Sequence, residues 1–266
     1  MRKILPILAF AALVSMSQAN AASVSLLDDP VITGANRYQR CLTLVKTNPR
    51  DAEGAAAAWH AAGGGAAALH CEALALTGLR RYGEAAVKLD QAAMIAPGQQ
   101  RDLRVALYDQ AGNAWLLAGN PAKAVASLDT AVLLAPGDED ILFDHARARA
   151  AAKDWSGAEA DLTKLLSLDP DRADAWVLRA SARHAEGRIA EASADIAHAL
   201  AVYPDYPEAL VERGSMKFQA GDVQGARADW QTVVRDAPNG DAAAAARQHL
   251  AEFATQPSPP AKPSGK

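Results

Sequence analysis

Five prolines divide this chain into nearly equal lengths. Pro136, Pro170, Pro204 and Pro238 follow one another at 34 residues, and Pro97 precedes Pro136 by 39. Each closes a similar phrase: "LDQAAMIAP", "LDTAVLLAP", "LTKLLSLDP", "IAHALAVYP" and "WQTVVRDAP". A period of this length marks one supersecondary unit copied in tandem. It limits the chain to folds in which each copy packs on its neighbours.

Positions within the copies repeat as well. Twelve residues before each proline stand Ala85, Ala124, Ala158, Ala192 and Ala226. Eight before stand the large Leu89, Leu128, Leu162, Ile196 and Trp230. Twenty-four before stand the small Ala73, Gly112, Ala146, Ala180 and Gly214, where two helices must approach closely. Apolar residues recur at i, i+3, i+4 and i+7 in each half, so each copy is two helices joined by a turn. Gly119, Gly187 and Gly221 fall between the halves of three copies. Proline ends the second helix, because the residue before it disfavours the α region. Asp205 and Glu208 have capping-box spacing for the next helix, with Pro207 in its first turn. Alanine dominates throughout and favours helix over strand.

The copy "DAWVLRASARHAEGRIAEASADIAHALAVYP" carries Trp176, Ala180, Gly187, Ala192, Ile196, Ala199 and Pro204. In these places it resembles the tetratricopeptide repeat family, as does the copy from Glu208 to Pro238. The resemblance implies an all-α, right-handed solenoid of stacked helix hairpins. Five repeats are expected, over 66–99, 105–138, 139–172, 173–206 and 207–238. An atypical hairpin over 35–65 should precede them, and a capping helix over 239–254 should follow.

The copies depart from the family pattern at two positions. The seventh, usually leucine, holds His145, Arg179 and Arg213, and the eleventh, usually tyrosine, holds Arg149, Arg183 and Lys217. A buried unpaired guanidinium costs several kcal/mol, so these charges need partners. Asp161, Asp195 and Asp229 recur at one position of the second helix. We expect an arginine–aspartate ladder, with Arg179 meeting Asp161 or Asp195 and Arg213 meeting Asp195 or Asp229. It would fix the register between copies. The alternative is that both arginines extend to solvent beside the groove.

The first residues carry their own signal. Arg2 and Lys3 precede an apolar run from Ile4 to Met16, and Ala19-Asn20-Ala21 matches a cleavage site. Residues 1–22 read as a secretory signal peptide, 23–34 as a flexible segment, and the export implied points to the periplasm. Thr255 to Lys266 holds four prolines and reads as a disordered tail. The chain has 27 basic and 31 acidic residues, and removal of Arg2 and Lys3 makes the net charge of −4 two units more negative. That balance argues against nucleic acid or an anionic membrane as the main partner.

Cys41 and Cys71 are the only cysteines. Both fall midway along first helices of successive hairpins, and in an exported chain they are expected to be bonded. A metal site with His60 and His70 is the weaker reading, since no zinc spacing is present. "AWHAAGGGAAALH" places Gly63 at a helix C-cap, with Gly64 and Gly65 completing the turn. A phosphate loop would need a strand before it and Gly-Lys-Ser/Thr after it, and neither is there.

The family resemblance implies that first helices line a concave groove. By register that face carries Asp109, Asn113, Leu116, Phe143, Arg147, Val177, Ser181, His184, Val211, Ser215 and Phe218. Phe143 and Phe218 are the expected anchors for an extended segment or helix of another protein. The carboxylate-clamp pattern of the family is not matched at Asp109 and Ser181. No zinc-protease or nucleophile-elbow motif occurs. The function expected is a non-enzymatic adaptor for envelope proteins, without cofactor or metal. The alternatives are an accessory subunit of an envelope enzyme complex, or a hydrolase.

Overall fold

The computed structural model describes residues 34–255. The signal-peptide segment, the residues up to 33 and the tail from 256 lie outside the described residues. The chain is an all-α solenoid of helical repeats with thirteen described helices. Helices α1 (Gly34–Thr47) and α2 (Pro49–Ala61) form the first hairpin. The five repeats are α3 (Gly65–Gly78) with α4 (Tyr82–Ile95), α5 (Arg101–Leu117) with α6 (Pro121–Leu134), α7 (Glu139–Ala151) with α8 (Trp155–Leu168), α9 (Ala173–Ala185) with α10 (Ile189–Val202), and α11 (Pro207–Gln219) with α12 (Val223–Asp236). Helix α13 (Asp241–Thr255) follows. Among the described residues no strand occurs, and no helix is long and apolar enough to cross a membrane.

The local chemistry explains the boundaries. Every second helix ends two residues before its proline. The residue seventeen before each proline is left-handed: Arg80 (φ 60°), Gly119 (φ 69°), Lys153 (φ 64°), Gly187 (φ 78°) and Gly221 (φ 84°). The next residue opens the second helix. Where it is Asn120, Asp154 or Asp222, its side chain accepts from a backbone N–H three residues on. Before α7, Asp138 Oδ1 accepts from the amides of Asp140 and Ile141. Before α11 the N-cap is Tyr206, without a side-chain cap bond, so Asp205 does not have the capping role its spacing implied.

Each glycine of the triplet has a separate cause. Gly63 (φ 89°) and Gly65 (φ 58°) are left-handed. A Cβ on Gly64 would come within 2.6 Å of the Trp59 ring. The turn is a helix joint.

The chain forms two compact units, one through Ala148 and one from Arg149 onward. In the first, Leu69, Leu89, Leu107, Trp115 and Leu128 centre the core. A smaller cluster holds Trp59, Ala68, Cys41 and Cys71. A disulfide joins Cys41 of α1 to Cys71 of α3, with Cα atoms 6.2 Å apart. In the second unit, Val177, Ile196 and Met216 form one cluster, and Trp230, Val233, Ala243 and Ala246 another, which seats α13 on the last repeat.

Two side-chain pairs sixteen residues apart tie the hairpins. One is steric. A Cβ on Gly112 would lie 2.4 Å from Leu128, and one on Gly214 would lie 2.5 Å from Trp230. The other is electrostatic. Arg179 donates through Nε and Nη2 to both oxygens of Asp195, at 3.0 and 2.8 Å. Arg213 does the same to Asp229, at 2.9 and 2.8 Å. Each of these aspartates takes a second cation from the eleventh position: Arg183 on Asp195 at 2.8 Å, and Lys217 on Asp229 at 2.9 Å. Asp161 receives Arg149 at 2.9 Å. In the first repeat the sixteen-residue pair is Glu72 with Lys88, at 2.9 Å and with the signs exchanged.

The ladder therefore differs from the sequence expectation in one respect. Its rungs close within hairpins rather than between them. Links to the preceding hairpin are made beside the rungs: Arg179 Nη1 donates to Thr163 at 3.2 Å, and Arg183 Nε to Glu159 at 2.8 Å. Burial pushes the Asp229 carboxyl up, but the bonds from Arg213 and Lys217 outweigh it and hold it below the usual aspartate value.

Four substitutions test these contacts, all read by urea unfolding. Lys153→Gly relieves a left-handed lysine and should stabilise by about 0.5–1 kcal/mol, whereas Gly214→Ala drives a Cβ into Trp230 and should cost about 1–3 kcal/mol. Asp195→Asn leaves the buried guanidinium of Arg179 without its counter-charge, and Arg183 with Glu159 alone of its two carboxylates, and should cost about 3–5 kcal/mol. Asp229→Asn should cost less, because Arg213 is more open to solvent than Arg179.

Candidate functional site: the first-helix face

The first helices present a row of polar side chains that bond from one repeat to the next. In the first unit the row begins at His70 of α3. Its Nδ1 accepts from the Tyr38 hydroxyl at 2.6 Å, and its Nε2 stands 2.9 Å from Gln110 Oε1. Because Gln110 offers an oxygen, Nε2 carries the proton of the neutral ring. Burial pushes the His70 imidazole below its ordinary value, and the Gln110 bond only partly offsets this.

Further along, Asn113 of α5 bridges two carboxylates. Its Nδ2 donates to Asp144 Oδ2 at 2.6 Å and to Asp109 Oδ1 at 3.3 Å. Arg147 donates to Asp144 at 2.7 Å and to Asn113 Oδ1 at 3.3 Å. Burial raises the Asp109 carboxyl, and the charge of Asp144, a hydrogen bond with it and the charges of Asp138 and Asp140 raise it further, to about 7. Asp109 therefore holds its proton to higher pH than an ordinary aspartate, and Asn113 and Arg147 brace the arrangement.

Beside the start of this row lies a recess of about 410 Å³. Tyr38, His70, Leu103 and Leu107 line it, with Pro97 and Gln100 at its edge. Leu103 is 39% exposed. The disulfide lies one helical turn from Tyr38 and next to His70, so it holds two walls of the recess together.

In the second unit the same face is more filled. Val177 is 9% exposed and packs with Ala180, Ile196 and Met216, which makes it a core side chain and not a groove one. Phe218 lies half-buried with its ring 6.0 Å from Trp230, so part of it serves packing rather than a partner. Val211 also packs with that cluster, and its carbonyl accepts from Ser215 Oγ and Trp230 Nε1. His184 bonds to Glu212 at 2.7 Å and Gln219 at 2.8 Å. Burial opposes its protonation, but the bonds to Gln219 and Glu212 prevail and raise its pKa. Ser181, Leu116 and Phe143 are half-buried on their helices.

The sequence reading named Asp109, Asn113, Arg147 and His184 but missed Asp144, which pairs with Asn113 and Arg147, Glu212, which pairs with His184, and Gln110, which pairs with His70. Those three share one register position, a single residue after the groove position it counted. His70 was weighed as a metal ligand, although it occupies the register position of Asp109. Among the described residues no group of three histidine, cysteine, aspartate or glutamate side chains is placed to hold a metal.

Residues 115–182 match the family model described as "Tetratricopeptide repeat". Within residues 115–182 the chain therefore carries tetratricopeptide repeats. No curated protein matches the sequence. Solved tetratricopeptide structures share the fold at low identity. YrrB, described as a tetratricopeptide-repeat protein with an unusual peptide-binding site, is 18% identical over 72% of this chain and 96% of its own, with a TM-score of 0.57. MamA from Desulfovibrio magneticus RS-1 is 18% identical over 64% and 93%, with a TM-score of 0.54. A further MamA structure is 13% identical over 73% and 98%, with a TM-score of 0.53.

The carboxylate pair gives the tetratricopeptide face a pH response. Asp109 has a folded pKa of about 7 against an ordinary 3.8, so the folded state holds a proton that the unfolded chain releases. Stability should fall as pH rises between these values and level off above them. Asp109→Asn should flatten that decline. Urea midpoints from about pH 4 to about pH 8 measure it, and identical profiles for both proteins would exclude the shared proton.

Proposed function

We propose that this chain is a periplasmic adaptor that binds a segment of another envelope protein on its first-helix face. The observation that carries the reading is the recess of Tyr38, His70, Leu103 and Leu107 beside the bonded polar row Asp109, Asn113, Asp144 and Arg147. Such a face offers one apolar socket for a side chain, and fixed donors and acceptors for the backbone that follows. The acidic pair sets the preference: a basic or neutral segment is favoured, and an acidic one is repelled. Tetratricopeptide arrays act as protein-interaction scaffolds, and the peptide-binding site described for YrrB, which shares the fold, supports the same use here. Export rests on the sequence of residues 1–22, and the disulfide is compatible with an oxidising compartment.

The test has two parts. N-terminal sequencing of the protein recovered from the periplasm should begin at Ala22 or Ser23. Photo-crosslinkers at Leu103 and Phe143 should capture one and the same protein. Leu103→Asp should then weaken direct binding of that purified partner by about tenfold or more. Unchanged binding in Leu103→Asp, together with unchanged binding in Asp109→Lys, would remove the first-helix face from consideration.

A further inference from the structure

The repeats can be compared with each other, and one comparison exposes a gap. In the third repeat, α8 supplies two acceptors to the cations of α9. Glu159 accepts from Arg183 at 2.8 Å, and Thr163 accepts from Arg179 Nη1 at 3.2 Å. Thirty-four residues on, the cations recur as Arg213 and Lys217, but the acceptors do not: Ser193 replaces Glu159 and Ala197 replaces Thr163. Among the described residues Arg213 and Lys217 turn to Asp229 alone, through Nε, Nη2 and Nζ, and no acceptor there takes Arg213 Nη1 or the two other ammonium protons. Their side chains are 38% and 32% exposed, against 10% and 15% for Arg179 and Arg183. Asp222, at the register position of Arg188, is committed to the Gly225 amide as the cap of α12.

A cavity of about 590 Å³ lies at this spot. Ser193, Ala197, Arg213 and Lys217 all line it. Its remaining walls are apolar, with Ile189, Ile196, Leu200 and Met216 among them. The volume is that of a small-molecule site.

We propose that this cavity binds an aliphatic carboxylate of the medium-chain fatty-acid class. The carboxylate takes the places that Glu159 and Thr163 hold in the third repeat and accepts from Lys217 Nζ and Arg213 Nη1. The chain lies along Ile189, Leu200 and Met216. Charge complementarity sets the head group, because two cations lack the acceptors their repeat equivalents have. The wall sets the tail. Apart from the two cations, its polar side chains reduce to Ser193, whose hydroxyl stands 3.9 Å from Met216 Sδ. A peptide would bring backbone amides that this wall leaves unbonded. A ligand with polarity at one end only does not.

Calorimetric titration of the full chain with decanoate, decanol and decylammonium tests the assignment. Decanoate should bind at one site per chain. Decanol should bind about tenfold or more weakly, and decylammonium not at all. Ser193→Glu plants the carboxylate that the third repeat possesses. It should abolish decanoate binding without lowering the melting temperature. Lys217→Met, checked for folding by circular dichroism, should weaken binding of decanoate but not of decanol. Equal affinity for decanoate and decanol, undiminished binding in Ser193→Glu, or binding of a short acidic peptide without binding of decanoate would each overturn the proposal.

Discussion

Close approach of the two helices within each hairpin is the constraint on which the structure depends. A small residue on the first helix receives a large one sixteen positions later on the second. Gly214 against Trp230 shows how tightly this is met, because a single added carbon would sit 2.5 Å from the indole nitrogen. At that separation, the next residue pair along the two helices is also forced together. A leucine there is simply buried. A charge must be answered across the same gap, and in this chain it is: Arg179 by Asp195, Arg213 by Asp229, Glu72 by Lys88. The exchanged signs in the first repeat indicate that the position requires complementarity rather than a particular residue.

The same geometry explains why the repeats are unequal as binding surfaces. Where the second-helix partner is large, as at Trp230, first-helix side chains such as Phe218 and Val211 are drawn into packing. In the first unit the place of Val211 holds His70 and Asp109, which bond laterally to Gln110 and Asn113 and stay half-buried. Polar side chains that satisfy one another remain available to a partner, because they gain nothing from further burial.

Much of the architecture was legible in the sequence because it is written five times. The proline spacing marks the end of each second helix, and the glycines at the turns mark the left-handed residue. Arg80 and Lys153 occupy that same turn position without being glycine, and the regular fold around them imposes the conformation. The partner choice of each arginine was not legible. Asp161, 18 residues before Arg179, and Asp195, 16 residues after it, are both candidates until the hairpin geometry brings Asp195 to it. Val177 illustrates the converse error, since register places it on the groove face and packing against Met216 takes it away. Asp144 and Glu212 went unnoticed because cross-repeat bonds depend on how consecutive hairpins are offset, a property of stacking rather than of any one copy.

The disulfide is confined to one end of the chain, where it joins α1 to α3 across the first hairpin. Repeat arrays lose structure from their ends inward, since terminal copies have a neighbour on one side only. A covalent link between Cys41 and Cys71 withdraws the N-terminal end from that process. The opposite end is held without a covalent link, by Ala243, Ala246 and Leu250 in the cluster of Trp230 and Val233 and by the His249 ring stacked on Trp230. Fraying therefore has a direction: it begins at α13 and α12 and advances toward the recess, which is among the last features to be lost.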